Sequence, residues 1–442
     1  MTKRIAKSAR PIGRRKFIGG AAAGSAVLAA GVAAPAIAQQ RTIKLGYVSP
    51  QTGPLAAFAE ADNFNVALFK ETMKGGLKIG ARTYPVDVIV KDSQSNPNRA
   101  AQVAKDLIVQ DKVDLMLVAS TPETTNPVST QCEIEEQPCV STMAPWQPWF
   151  IGRQANPAGG PPAWKGFNYT YHYFWGLEDI IAVFTNMWGQ VQTNKAVGAL
   201  FPNDGDGNAW GDKQVGFPPA LDKQGYKLTD PGRYQNLTDN FSAQINAFKN
   251  AKCEIITGVV LPPDFTTFWK QALQQGFKPK VASVGKAILF PVAVEALGKD
   301  GNNLSSEVWW SPSHPFKSSL TGRTAKQIAD AYQAATKKQW TQPIGFIHSL
   351  FEVAVDVLKR TPALGDAKAM VKAIKETNAQ TIVGPVKWNL ENVPPFARAN
   401  VTRTPLVGGQ WRLAANGKYD IVITDNKTAP NIPAGGKMQP IA

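Results

Sequence analysis

The chain is poor in the residues that make bonds. Its 442 residues include only three histidines and three cysteines. His172, His314 and His348 are too far apart in sequence to read as one ligand set, and Cys132, Cys139 and Cys253 lack metal-site spacing. No G-x-S-x-G, H-E-x-x-H, C-x-x-C, phosphate-binding P-loop or strand-linked dinucleotide glycine fingerprint occurs. No cofactor, metal or catalytic residue is therefore expected. Asp204 to Asn208 starts like a calcium loop, but Ala209 stands where that loop needs glycine and Val215 where it needs glutamate. The stretch reads instead as a Gly-rich turn that opens a helix. After residue 40 no run is apolar enough to cross a bilayer. Like charges nowhere form a block of five or six, so nucleic acid is not an expected partner.

Basic residues dominate the first sixteen positions. Lys3, Arg4, Lys7, Arg10, Arg14, Arg15 and Lys16 stand there without one acidic residue. Phe17 to Ala34 is a mild Ala/Gly-rich apolar stretch, and Ala36-Ile37-Ala38 is a small-residue cleavage site. Residues 1–38 therefore read as a cleaved signal peptide. Arg14-Arg15 before Lys16-Phe17 resembles a twin-arginine export signal, and an ordinary secretory signal leads to the same place. The expected location is the periplasm, with no lipid anchor, because no cysteine stands near the cleavage site. Without these seven of the 48 basic residues, 41 remain against 33 acidic ones, a net charge of +8. In that oxidising compartment Cys132 and Cys139 are candidates for a disulfide. Spacing does not fix their Cα distance, so bridge and free thiols both stay open.

The chain is organised around Ile43 to Pro54. Ile43, Leu45, Tyr47 and Val48 read as a buried strand, Ser49 to Pro54 as a polar turn, and a helix follows. Strands and helices then alternate. Tyr84–Val90, Leu115–Ala119 and Cys139–Thr142 are expected strands, with a helix over Asn98–Gln110 and another over Asn126–Glu136. Ser120 to Pro127 is expected as a loop. After a Pro/Gly-rich seam at Gln154–Asn168 the alternation restarts, with strands at Ala196–Phe201, Glu254–Leu261 and Lys280–Val284. This pattern predicts an α/β chain with two doubly wound parallel sheets. From Glu307 the order changes to long amphipathic helices and crossing segments. Ligands of such sheets bind at the carboxyl ends of the strands. Ser49 and Gln51, on the opening turn, are hydroxyl and amide types that can bond a small polar molecule.

Several motifs in order resemble the periplasmic binding proteins of branched-chain amino-acid-type ABC importers. They are Ser49-Pro50-Gln51-Thr52-Gly53-Pro54 with Gly75-Gly76; Asp92-Ser93 with Pro97; Asp111-Lys112-Val113-Asp114; Asn240-Phe241-Ser242; Trp269-Lys270-Gln271-Ala272 with Gly276-Phe277; and Gly384-Pro385-Val386-Lys387-Trp388. The resemblance implies the type I fold of two lobes joined by three crossover strands. Lobe 1 would comprise 39–173 and 313–400, and lobe 2 would comprise 174–312 and 401–442.

The resemblance also implies ligand positions. Phe58 falls where an aromatic meets the ligand side chain. Ser120, Thr121 and Thr124 fall where hydroxyls and backbone N–H groups receive a carboxylate. Trp146 and Trp210 fall on polar and covering positions, and His348 on an aromatic position. Lys286 falls where members that bind amino acids carry an acid for the ammonium group, and a lysine there attracts an anion instead. The expected solute is thus a carboxylate with an aromatic or apolar body, with an amino acid as the alternative. Plainer readings make Lys286 a solvated loop residue and His348 a core histidine. The expected function is solute capture for a membrane permease by a monomeric, non-enzymatic protein. A sensor for a separate receptor and a small-amide hydrolase are the competing classes.

Overall fold

The computed structural model describes residues 41–153 and 166–441. The signal-peptide reading and part of the Pro/Gly-rich seam lie outside these residues.

The first half runs β1 (Ile43–Ser49), α1 (Asp62–Thr72), a hairpin of β2 (Leu77–Ile79) and β3 (Arg82–Tyr84), then β4 (Val86–Asp92), α2 (Pro97–Val109), β5 (Leu115–Ala119), α3 (Pro122–Ile134), β6 (Cys139–Thr142), α4 (Trp146–Phe150) and β7 (Thr170–Tyr173). The second half runs α5 (Leu177–Trp188), β8 (Ala196–Leu200), α6 (Gly205–Trp210), α7 (Phe217–Lys223), β9 (Lys227–Thr229), α8 (Ser242–Asn250), β10 (Ile255–Val259), α9 (Pro262–Gln274), β11 (Val281–Gly285), α10 (Pro291–Glu295) and β12 (Ser305–Val308). There follow α11 (Ala325–Thr336), α12 (Pro343–Arg360), α13 (Ala367–Lys375), a hairpin of β13 (Asn378–Thr381) and β14 (Gly384–Lys387), β15 (Val401–Thr402), β16 (Val407–Leu413) and β17 (Tyr419–Asp425).

Local sequence explains most of these elements. β5, Leu-Met-Leu-Val-Ala, is an unbroken apolar run and is buried on both faces, as a central parallel strand requires. α2 starts where the Asn96 side chain accepts the Arg99 N–H, with Pro97 in the first turn. It buries Ala100, Val103, Ala104 and Leu107, one face at helical spacing. α11 opens with a Thr324–Gln327 capping box. α12 is buried nearly all round, because it packs on β5, β6 and the β2 hairpin at once.

The first sheet has the order β15-β7-β6-β5-β1-β4 and the second β17-β16-β12-β11-β10-β8-β9. All pairings in the first are parallel. In the second, β9 to β12 are parallel, and β16 and β17 add antiparallel strands at one edge. In each sheet the first strand, β1 or β8, has its successors on opposite sides, so each sheet has a switch point beside that strand. The chain passes from the first sheet to the second after β7, returns after β12, and passes over again between β15 and β16. Val401 and Thr402 pair with His172 and Tyr173. The third passage therefore starts two residues later than the sequence suggested.

One expectation is corrected here because it shapes the site. Ser120–Pro127 is not a loop. Thr121 is the N-cap of α3, Pro122 sits in the first turn, and Pro127 lies inside the helix. Pro122 forfeits little, since the N–H groups of the first turn have no intrahelical partner to lose.

Candidate functional site

A cavity lies where the carboxyl ends of the two sheets face each other. The first lobe contributes Phe58 after β1, Thr121 after β5, and Met143 and Pro145 after β6. The second contributes Asp206 after β8, Val259 at the end of β10, Lys286 and Leu289 after β11, and Glu307 on β12. Phe174, Trp175 and Trp309 line it from the first two inter-sheet passages. All twelve residues are buried, so the two lobes are closed over the space. Phe58 meets Phe290 edge to face across the cleft at 5.0 Å. Phe174 likewise meets Trp309 edge to face at 5.3 Å.

The polar wall is on the second lobe. Lys286 Nζ lies 3.0 Å from Asp206 Oδ2, 3.0 Å from Glu123 Oε1 and 3.7 Å from Asp204 Oδ2. Glu123 belongs to α3 of the first lobe, so this ion pair spans the cleft. Burial works against a charged lysine, but Glu123, Asp204 and Asp206 together outweigh it and hold the ammonium well above the usual lysine range. Asp206 is pushed up to about 7, by burial first; Lys286 pulls the other way, and Glu123 and Asp204 add to the rise. Burial also raises Glu307 to about 7, although it accepts bonds from the Ser306 hydroxyl at 2.7 Å and the Lys286 backbone N–H at 3.2 Å. Asp204 caps α6 by accepting the Gly207 N–H at 2.7 Å. Burial would raise its pKa, but Lys286 and the Asn236 amide reverse the effect and leave it lowered.

Local backbone sets this arrangement. Lys286 has φ +69°, and the Ala287 N–H donates to Gly285 O at 2.7 Å. This is a tight, strained three-residue turn. Gly285 is required there, because a Cβ would lie 2.7 Å from the Trp210 ring. Met143, on the opposite wall, also has a left-handed backbone, with φ +71°.

The structure brings three of the sequence-derived positions into the cavity wall, Phe58, Thr121 and Lys286. The others lie elsewhere. Ser49 donates to Asp62, which also accepts from Tyr47 at 2.8 Å, so it ties β1 to α1. Gln51 is exposed. Thr124 donates to Ser120 Oγ at 2.8 Å, which braces the β5–α3 turn behind Thr121. Trp146 is on a helix, not a loop. Its indole donates to Glu178 at 3.0 Å, and Arg403 pairs with Glu178 at 3.2 Å, so it serves the passages between lobes. Trp210 also sits on a helix, stacked on Phe217 at 4.9 Å in the second-lobe core. His348 lies within α12, with Ser318 Oγ 2.7 Å from Nε2. Burial, with Arg323 adding, lowers its pKa to about 4. It is the core histidine of the plainer reading.

One chemical expectation changes, and one open alternative is narrowed. Lys286 is not a free cation waiting for an anion, since three carboxylates already surround it. Cys132 and Cys139 are free thiols, not a bridge. Burial, with Cys139 next to it, holds the Cys132 thiol well above its usual range. Cys253 is also buried and free.

Sequence reasoning missed Asp206, Glu307, Phe174, Trp175 and Trp309 as cleft residues. Asp206 lies in the Gly-rich stretch that reads as a ligand loop without being singled out as a contact, and Trp309 reads only as hinge or core packing.

A pair of sheets with facing switch points and a cleft between them is the architecture of a two-lobed binding protein. The family model described as periplasmic binding protein matches residues 42–405, and the chain belongs to that family. Among solved structures it is similar to a periplasmic binding protein type 1 from Bordetella pertussis Tohama I, at 17% identity over 87% of this chain and 100% of that one, with a TM-score of 0.68. It is also similar to a branched-chain amino acid transporter substrate-binding protein from Streptococcus pneumoniae in complex with isoleucine, at 15% identity over 87% and 100%, TM-score 0.66. A third is a solute-binding protein of an ABC transporter from R. palustris in complex with 4-hydroxybenzoate, at 16% identity over 89% and 98%, TM-score 0.67. At these identities the likeness establishes the fold, which is the type I periplasmic binding fold. No helix among the described residues is long and apolar enough to cross a membrane.

Proposed function

We propose that the protein captures a small organic acid with a flat or apolar body outside the cytoplasm and presents it, in the closed form, to the permease of an ABC importer. The supporting observation is the cavity itself. Eight of its twelve lining residues are aromatic, aliphatic, proline or methionine side chains, and they form a mostly apolar wall between the two lobes. Buried ring contacts contribute about 0.5–1.5 kcal/mol each beyond area burial. The carboxylate end falls to the first lobe, not to Lys286. The Thr121 hydroxyl is buried there without a partner, at the N-terminus of a 13-residue helix whose dipole favours an anion. A Kd near 1 μM requires about 8 kcal/mol, within reach of these terms. The residues named hold and enclose; none is assigned a catalytic role. Closure follows because a solute touching both lobes binds the closed form better than the open one.

The test is mass spectrometry of whatever small molecule copurifies, followed by calorimetry against a panel of carboxylic acids and amino acids. One acid bound per chain at micromolar Kd is the expected result. Catalytic turnover of the bound compound, or binding only of compounds without a carboxylate, would end this reading.

A further inference from the structure

The cleft already contains a cation, and it belongs to the protein. Lys286 Nζ is within 3.0 Å of two carboxylates and 3.7 Å of a third, and its side chain is 4% exposed. The acids come from α3 of the first lobe and the start of α6 of the second. Together they carry more negative charge than one lysine neutralises. Asp206 Oδ1 and Glu123 Oε2 are buried and without a partner, and Asp206 lines the cavity. The backbone is bent to deliver the lysine: φ is +69° in a strained turn, and its neighbour Gly285 is pressed against Trp210. A non-glycine residue holds such a conformation only when its surroundings over-determine it. The surroundings in question are the three carboxylates. An ammonium brought in by a ligand would meet Lys286 at close range in a buried site, where like charges repel strongly.

We propose that Lys286 is a built-in ammonium that fills the cation subsite of the cleft, so that the solute carries an apolar body but no ammonium group, and offers a neutral donor such as a hydroxyl to Asp206 Oδ1. This rests on the reading that the cleft takes a small organic acid, and it narrows that class to acids without an amino group.

Two measurements test it. In the first, the intact protein is titrated calorimetrically with leucine and phenylalanine and with their counterparts lacking the amino group, 4-methylpentanoate and 3-phenylpropanoate. The amino acids are expected to bind at least tenfold more weakly than their counterparts, or not at all. An amino acid that binds as tightly as its counterpart would overturn the proposal. The second needs no knowledge of the solute. Lys286→Ala empties the cage, so its Tm should fall, and butylammonium should restore it saturably while butanol does not. The wild type should not respond to butylammonium. Absence of this rescue would also overturn the proposal. If the single variant does not fold, Lys286→Ala combined with Glu123→Gln leaves fewer unmatched charges and carries the same rescue test. Rescue without binding of any acid would leave the filled subsite standing and remove the organic-acid reading. Binding of acids without rescue would do the reverse.

Discussion

The two faces of the cleft differ in kind. The first-lobe face is neutral at its lining: Phe58, Thr121, Met143 and Pro145. The second-lobe face carries Asp206, Lys286 and Glu307 among its lining residues. Both are built from the same positions of the same sheet pattern, the loops beyond the strand ends on either side of a switch point. The difference therefore lies in the side chains, not the topology. A neutral face can shape a ligand through contact and a hydroxyl, while a buried charged face must first satisfy itself. Here it does so by reaching across to Glu123. That reach links ligand selection to closure, because the same lysine lines the space and joins the lobes.

The largest expected effect sharpens this contrast through stability. Lys286→Met keeps the volume but strands three carboxylates, and breaking a buried ion pair costs about 3–5 kcal/mol. Urea unfolding should show a loss of that order. Thr121→Val on the neutral face should change stability by less than about 1 kcal/mol. Equal losses from the two would erase the distinction.

Next comes pH. Glu307 titrates near 7 in the folded protein and near 4.3 when unfolded. Between these values the folded state keeps a proton that the unfolded state has released. Stability from this group is therefore present below about pH 4 and declines as pH rises to about 7, by up to about 1.4 kcal/mol per pH unit. Glu307→Gln should remove that component, so the variant should gain on the wild type between pH 4.5 and 7 in urea titrations. A constant difference across that range would contradict the assignment.

Two smaller effects probe the neutral face. Phe58→Ala loses both the ligand contact and the edge-to-face pair with Phe290 across the cleft. Solute affinity should drop about tenfold, or 1.4 kcal/mol, measured by calorimetry; unchanged affinity would mean that the solute touches only the second lobe. Thr121→Val removes one hydrogen bond, about 0.5–1.5 kcal/mol, and should weaken acids while leaving Tm in place. A Tm loss with affinity intact would make Thr121 a structural residue.

The layered α/β pattern could be read along the chain because it is a local property. Leu115–Ala119 is apolar at every position, as a strand covered on both faces must be, and Ala100 to Leu107 repeat at helical spacing. The helix after β5 begins at Pro122, four residues before the expected Asn126, because the polar run Ser120 to Thr125 resembles a loop until Thr121 is known to be an N-cap. Trp146 and Trp210 are ligand contacts only by the family resemblance. Their actual partners, Glu178 and Phe217, follow from packing that spacing alone does not reveal. His348 shares its helix face with Phe351 and Val355, and in the structure that face is core.

The amino-acid order by itself determined the alternation of strands and helices, the two sheets and the order of their motifs, since apolar periodicity and Gly/Pro breaks act over a few residues. Only the tertiary structure decided what Lys286 does. Its partners stand 163, 82 and 80 positions away, and the sign of a buried site is the sum over every charge that folding gathers around it, however far apart those residues stand along the chain.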